Sequence, residues 1–202
     1  MRPQGQWLTG GDGHTFWFDS GSLAVDFAYT GGLGRRPEWE QWHAPSDAAA
    51  WLEGRFAEVD AEAFGDRDLA DAKALRDAIA RAVLAASRDE VPSRADVDVI
   101  NLFAATPDIP PSLAGGSRQA GRSRARVGQA LSVMAREAVE LFAPEGRERI
   151  RECAAEDCTI VFYDESRSNN RRWCSMQRCG NRAKVRKHRS REAAPTFSPP
   201  SP

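Results

Sequence analysis

The chain has 202 residues, 41% of them hydrophobic, with 28 basic and 29 acidic side chains. That apolar share is enough for a packed core, and the near balance of charge excludes a wholly disordered chain or an all-basic coat protein. No run approaches the roughly 18 consecutive apolar residues of a membrane span. No apolar signal core follows Met1-Arg2-Pro3-Gln4-Gly5-Gln6, and Ser198-Pro199-Pro200-Ser201-Pro202 has no lipidation motif. The expectation is a soluble cytoplasmic protein with no membrane partner and with reduced thiols.

Residues 7–18 mix glycine with aromatics and predict a short strand or hairpin that includes Thr15-Phe16-Trp17-Phe18. Residues 21–28 predict a short helix, stopped at Gly31-Gly32-Leu33-Gly34. That glycine run is no phosphate loop, because no Gly-Lys-Ser/Thr follows and Pro37 interrupts any helix there. Pro45-Ser46-Asp47 starts a further helix with Trp51, Leu52 and Phe56 on its apolar side. The strongest helical pattern covers residues 66–87, where Leu69, Ala72, Leu75, Ile79, Ala82, Val83 and Ala86 recur at helical spacing. Pro92, Ser93 and Asp96 resemble a helix cap ahead of Val97, Ile100 and Ala104. Residues 107–123, rich in Pro, Gly and Ser, predict a loop or weak hairpin. Residues 125–142 predict a second long amphipathic helix, with Val127, Leu131, Met134, Ala138 and Leu141 on one side, closed by Pro144 and Gly146.

The near-neutral total hides an asymmetry. Residues 1–150 carry 17 Lys/Arg and 23 Asp/Glu, a net of −6, whereas residues 151–202 carry 11 and 6, a net of +5. Residues 166–191 hold ten Lys/Arg and no acid, and all four cysteines lie in the same quarter. Cys153 and Cys158 are followed, after fifteen residues, by Cys174 and Cys179. Two close thiol pairs joined by a spacer fit a four-thiolate zinc site, each short loop turning two sulfurs toward one ion. Four thiolates close the coordination shell, so the single zinc expected here is structural, not catalytic. Thr159-Ile160-Val161-Phe162-Tyr163 is β-prone and predicts one arm of a hairpin, with residues 164–170 as its turn and return. Ser175 is placed to cap a helix that carries Cys179 and runs toward Arg191.

The fold class expected is therefore mainly α with minor β. A helical body with a short N-terminal hairpin covers residues 1–145, a small treble-clef-like zinc finger with a basic helix covers residues 150–191, and a disordered Pro/Ser-rich tail covers residues 192–202.

The run Arg171-Arg172-Trp173-Cys174-Ser175-Met176, continuing to Cys179-Gly180-Asn181-Arg182 and Lys184, resembles the CGNR zinc-finger family. The upstream Cys153, Cys158, Phe162, Asp164, Ser166 and Arg167 are similar to that family as well. Leu23-Ala24-Val25-Asp26-Phe27-Ala28-Tyr29-Thr30 resembles an element of the ABATE domain that usually precedes this finger, with Tyr29 where that family has Asn. The resemblance implies a bacterial, stress-related transcription regulator with a C-terminal DNA-binding finger.

The basic residues suit such a role on their own account. On a helix after Ser175, Arg182, Arg186 and Arg189 share one face, and Lys184, Lys187 and Arg191 form a neighbouring stripe. Arg167, Arg171 and Arg172 stand ahead of it, near the metal. Lys and Arg bind phosphates largely without regard to sequence, whereas base reading needs a planar donor fork or an amide. Asn181 and Arg182 are the expected base readers, with Asn169 and Asn170 behind them. DNA is the expected partner; RNA, or an acidic protein docked by a zinc-stabilised adaptor, are the alternatives. A redox switch at the cysteines needs an unusually reactive thiolate.

One basic helix gives modest affinity, and dimerisation through the amphipathic helices would double the contacts; the same faces equally fit the body's own core. The aromatics Trp7, Phe16, Trp17, Phe18, Phe27, Trp39, Trp42, Trp51 and Phe56 cluster in the first third, as core or as the lining of a small-effector pocket. Asp26, in an apolar helix, either receives a cation or effector or caps a neighbouring element. His14, His43 and His188 are isolated, and no Ser-His-acid grouping or suggestive carboxylate pair occurs, so no enzymatic activity is expected.

Overall fold

The computed structural model describes residues 5–10, 13–60, 62, 64–111 and 124–192, with the backbone alone at Lys187 and residues 190–192. Most of the expected loop over residues 107–123 and the expected tail after Glu192 lie outside the described residues. No described helix is long and apolar enough to cross a membrane.

The chain opens with an antiparallel hairpin of β1 (Gln6–Thr9) and β2 (Thr15–Phe18), in register Gln6 to Phe18 and Thr9 to Thr15. Helix α1 (Leu23–Tyr29) follows and is buried along its whole length. The Ser22 hydroxyl accepts the Val25 N–H, and Glu137 accepts both the Ser22 hydroxyl (2.9 Å) and the Leu23 N–H (2.8 Å). Side chains thus satisfy the polar start of a helix that is otherwise buried. Asp26 caps a neighbouring element: its carboxylate accepts the Gly5 N–H at 2.6 Å, tying the hairpin to α1. Burial pushes this carboxyl up, against the hydrogen bonds that favour its charge.

Helix α2 (Pro45–Glu53) begins where Asp47 accepts the His43 and Ala44 N–H groups, both at 2.8 Å. Helix α3 (Asp66–Ala86) turns Ala72, Leu75, Ile79 and Val83 into the core, and α4 (Arg94–Ala104) is capped by Ser93 as the sequence predicts. Helix α5 (Val127–Leu141) buries Leu131, Met134 and Ala138. Pro144 and Gly146 close α5 and then form a one-turn helix, α6 (Pro144–Arg147). Helix α3 packs on α1, α4 and α5, and α5 also packs on α1. The apolar faces of the long helices therefore serve this core, where each buried Leu or Ile contributes about 1.5–3 kcal/mol relative to exposure. The aromatics Phe18, Phe27, Trp39, Trp42, Trp51 and Phe56 belong to it too.

Strands β3 (Ile150–Glu152) and β4 (Val161–Tyr163) pair antiparallel, Ile150 opposite Tyr163. This corrects the predicted hairpin. The partner of residues 161–163 lies upstream, because residues 164–170 are held in loop form by the Asp164 carboxylate. That group accepts the Ser166 N–H and hydroxyl and the Arg171 N–H at 3.0, 2.5 and 2.7 Å. A single-turn π-helix (Met176–Gly180) then leads into α7 (Asn181–Glu192).

Body and finger share one core. The Tyr29 hydroxyl donates to the Val161 carbonyl at 3.0 Å and accepts the Val161 N–H at 2.8 Å. Gly21, at φ +78°, lies so close to the Tyr163 carbonyl that a Cβ there would collide with it, and the Tyr163 N–H donates to Ser20 at 2.7 Å. Tyr29→Phe orphans two buried backbone groups, each at a cost of about 1–3 kcal/mol. It is expected to lower urea stability by about 2–4 kcal/mol, with helix signal and tryptophan fluorescence still lost in a single transition; two separated transitions would show that body and finger unfold independently.

Candidate metal centre and basic helix

Cys153 follows β3 directly, and Cys158 turns back toward β4; the Cys153 N–H to Ile160 carbonyl bond (2.8 Å) closes this knuckle. The Ala154 N–H to Arg172 carbonyl bond (2.9 Å) brings the second thiol pair alongside. Ser175 caps the Arg178 N–H, and the Gly180 N–H reaches five residues back to Ser175, widening the turn that carries Cys179.

All four sulfurs lie within 4.8 Å of one another. The Cys158–Cys174 and Cys174–Cys179 separations are 3.7 and 3.6 Å. A tetrahedron with metal–sulfur bonds of about 2.3 Å has edges of about 3.8 Å, so the set fits zinc. The chemistry agrees. Hydrogen bonds from Cys158 and Cys174 hold the Cys153 thiol far below its ordinary range, and that thiolate pushes the Cys158 thiol up to about 12 and Cys174 further. Only a cation lets all four ionise together. Zinc held by Cys153, Cys158, Cys174 and Cys179 supplies cross-linking and leaves no open position for a substrate. All four cysteines are buried, and none is exposed as a redox sensor would be.

The structure gives several of the expected nucleic-acid contacts other work. Arg171 turns inward, donating to the carbonyls of Asp19, Trp173 and Cys174 at 2.6–3.1 Å and lying 4.3 Å over the Phe162 ring. Arg182 donates to the Cys179 sulfur at 3.3 Å and pairs with Asp157 at 3.0 Å, and the sulfur raises its pKa. It is therefore an outer partner of the metal ligand, not a free fork for a base. The Asn181 amide donates to the Gln177 carbonyl, and Asn169, at φ +45°, is held by Arg151. Arg186 faces Asp157 and Glu156 at 3.5 and 3.8 Å. Arg167, Arg172, Lys184 and Arg189 are exposed, and among the described residues none has a carboxylate partner. Arg172 lies 5.2 Å over the Trp173 ring, and the Lys187 side chain is outside the described residues.

The face expected to meet DNA looks elsewhere in part. Arg182, Arg186 and Arg189 line a cavity of about 800 Å³ whose opposite wall is Trp7, Phe16 and Trp17 of the hairpin. The sequence offered those aromatics as core or as a pocket lining, and these three line the cavity; that their facing wall is α7, and that Arg178 lies 4.3 Å over Phe16, was not visible, because hairpin and helix are far apart in sequence.

A helical body joined through one core to a four-cysteine, treble-clef-like finger defines the class. A model of the CGNR zinc finger matches residues 149–192, and one of the ABATE domain, described as "Putative stress-induced transcription regulator", matches residues 21–145. The chain belongs to the ABATE family and carries a CGNR zinc finger after that domain. No curated protein matches it.

Outer partners of metal ligands typically contribute 10–100-fold in affinity. Arg182→Ala is therefore expected to lower zinc affinity by roughly tenfold or more in competition with a chromogenic chelator. Unchanged affinity would reduce the Arg182–Cys179 contact to a bystander.

Proposed function

We propose that this protein is a DNA-binding transcription regulator of the cytoplasm, a binding module and not an enzyme. Its zinc finger anchors the start of α7 and leaves the rest of that helix to meet the phosphate backbone. The observation that carries the reading is the set of outward cations, with Arg167 on the loop that Asp164 holds, Arg172 beside the second thiol pair, and Lys184 and Arg189 on α7, all unpaired with carboxylates among the described residues. Lys187 lies on the same helix and adds to the charge. Such cations displace condensed counterions from DNA, a sequence-independent attraction that positions the helix.

Four phosphate contacts give a salt slope of roughly −4 on a logarithmic plot and micromolar or weaker binding by one copy. A homodimer on a two-fold site doubles that footprint and sets a half-site spacing. Sequence reading falls to the exposed stretch of α7 around Arg189 and to Asn181, whose carbonyl oxygen still offers an acceptor.

The test is fluorescence anisotropy of the zinc-loaded chain on a random duplex pool across several salt concentrations, followed by sequencing of the bound fraction. Lys184→Ala and Arg189→Ala are each expected to weaken all sequences alike and to reduce the slope by about 1. Enrichment of a common site supports the regulator. Binding without enrichment reduces the finger to a phosphate or RNA module, and no binding at low salt makes it a protein-docking surface.

A further inference from the structure

The cavity between the β1–β2 hairpin and α7 has features that a phosphate-binding helix does not require. Trp7 and Trp17 are 65% and 45% exposed, while Trp39, Trp42 and Trp51 are buried. The two exposed rings meet edge to face with centroids 5.4 Å apart, forming an aromatic corner on one wall. The facing wall carries Arg182, Arg186 and Arg189 with Val185 between them, and Arg178 lies over Phe16 at the base. Among the described residues that line the cavity, Asp157 is the one carboxylate, against four guanidinium groups. The site therefore favours an anion, and its positive wall shares the groove with a π-rich one.

The chemistry narrows the ligand. Tryptophan corners take flat aromatic rings by stacking or edge contact, and guanidinium forks bind planar carboxylates in two-point fashion. A volume of about 800 Å³ lies within the range of small-ligand pockets, about 300–1,000 Å³. We propose that this groove is a binding site for a small planar aromatic anion, clamped between the aromatic hairpin of the body and the arginine face of the finger helix. The inference stands on the groove alone and does not depend on α7 binding DNA.

The experiment titrates 2-naphthoate into the zinc-loaded full chain by isothermal calorimetry. Saturable binding of one equivalent is expected, weaker by roughly tenfold for the neutral 2-naphthalenemethanol and for the non-planar cyclohexanecarboxylate. Trp7→Ala and Arg189→Gln, both at exposed positions, are each expected to weaken 2-naphthoate by roughly tenfold while leaving far-UV circular dichroism and zinc content unchanged. If Trp7→Ala disturbs the hairpin, Arg189→Gln decides alone. No saturable heat up to the solubility limit overturns the proposal, as does equal binding by both variants. Binding of a short oligothymidylate, lost in the same variants, without any binding of 2-naphthoate would also overturn it and assign the groove to an unpaired nucleic-acid strand. Duplex binding, measured separately by anisotropy, can fail while 2-naphthoate still binds, so the two readings fall independently.

Discussion

Four sulfurs within 4.8 Å of one another are the constraint on which the C-terminal quarter depends. Apart from the cysteines, its buried apolar residues among those described are Ile150, Ala155, Ile160, Val161 and Phe162, too few to hold a segment of that length against its chain entropy. A metal cross-link supplies what the core does not. The zinc does not act alone, since Val161 and Phe162 pack into the same core as α1, and Tyr29 satisfies the backbone of β4 from the body side. Metal and body therefore stabilise one another's contacts, and the finger has no separate interior.

The charge of this quarter is distributed less simply than its composition implies. Arg149, Arg151 and Arg171 donate to backbone carbonyls of residues 164–174 or Asp19 and act as staples for a loop that has no strand pairing of its own. The Asp164 carboxylate completes that loop. Burial raises its pKa, but the bonds from Ser166 and Arg171 outweigh this and hold it below the ordinary carboxylate value. Its contribution is thus present above the unfolded-state pKa and is lost as pH falls through the folded one. Asp157, in the knuckle, gathers Arg182 and Arg186. What remains for an outside polyanion is a smaller set than ten, held at fixed positions.

Much of this was legible in the sequence. The 3.6-residue periodicity marked α3 and α5 because their apolar residues all serve one face, and Ser93 marked the start of α4 because its hydroxyl caps that helix. Thiol spacing marked the metal centre, since ligand geometry restricts how far apart two residues of one knuckle can be. The hairpin partner of β4 was not legible, because residues 150–152 are no more β-prone than many others and pair only once the knuckle has turned the chain back. Nor was the work of Arg171 and Arg182: a count of basic residues does not distinguish a guanidinium aimed at carbonyls or sulfur from one aimed at water. Tyr29, where the ABATE family has Asn, turned out to be the polar link between body and finger.

The shared core also limits how a signal can reach the finger. Swinging it away from the body as a rigid unit would break both Tyr29–Val161 bonds and leave two buried backbone groups unpaired, at about 1–3 kcal/mol each, before any apolar contact is lost. Helix α7 is held by other contacts, with Arg182 and Arg186 meeting Asp157 and Glu156 of the knuckle. Its N-terminus is fixed by Cys179, Arg182 and Asp157, while Val185 is half-exposed and Arg189 lines an open groove. A ligand taken up between Trp7 and Arg189 would therefore meet the basic helix directly, with both Tyr29–Val161 bonds left in place.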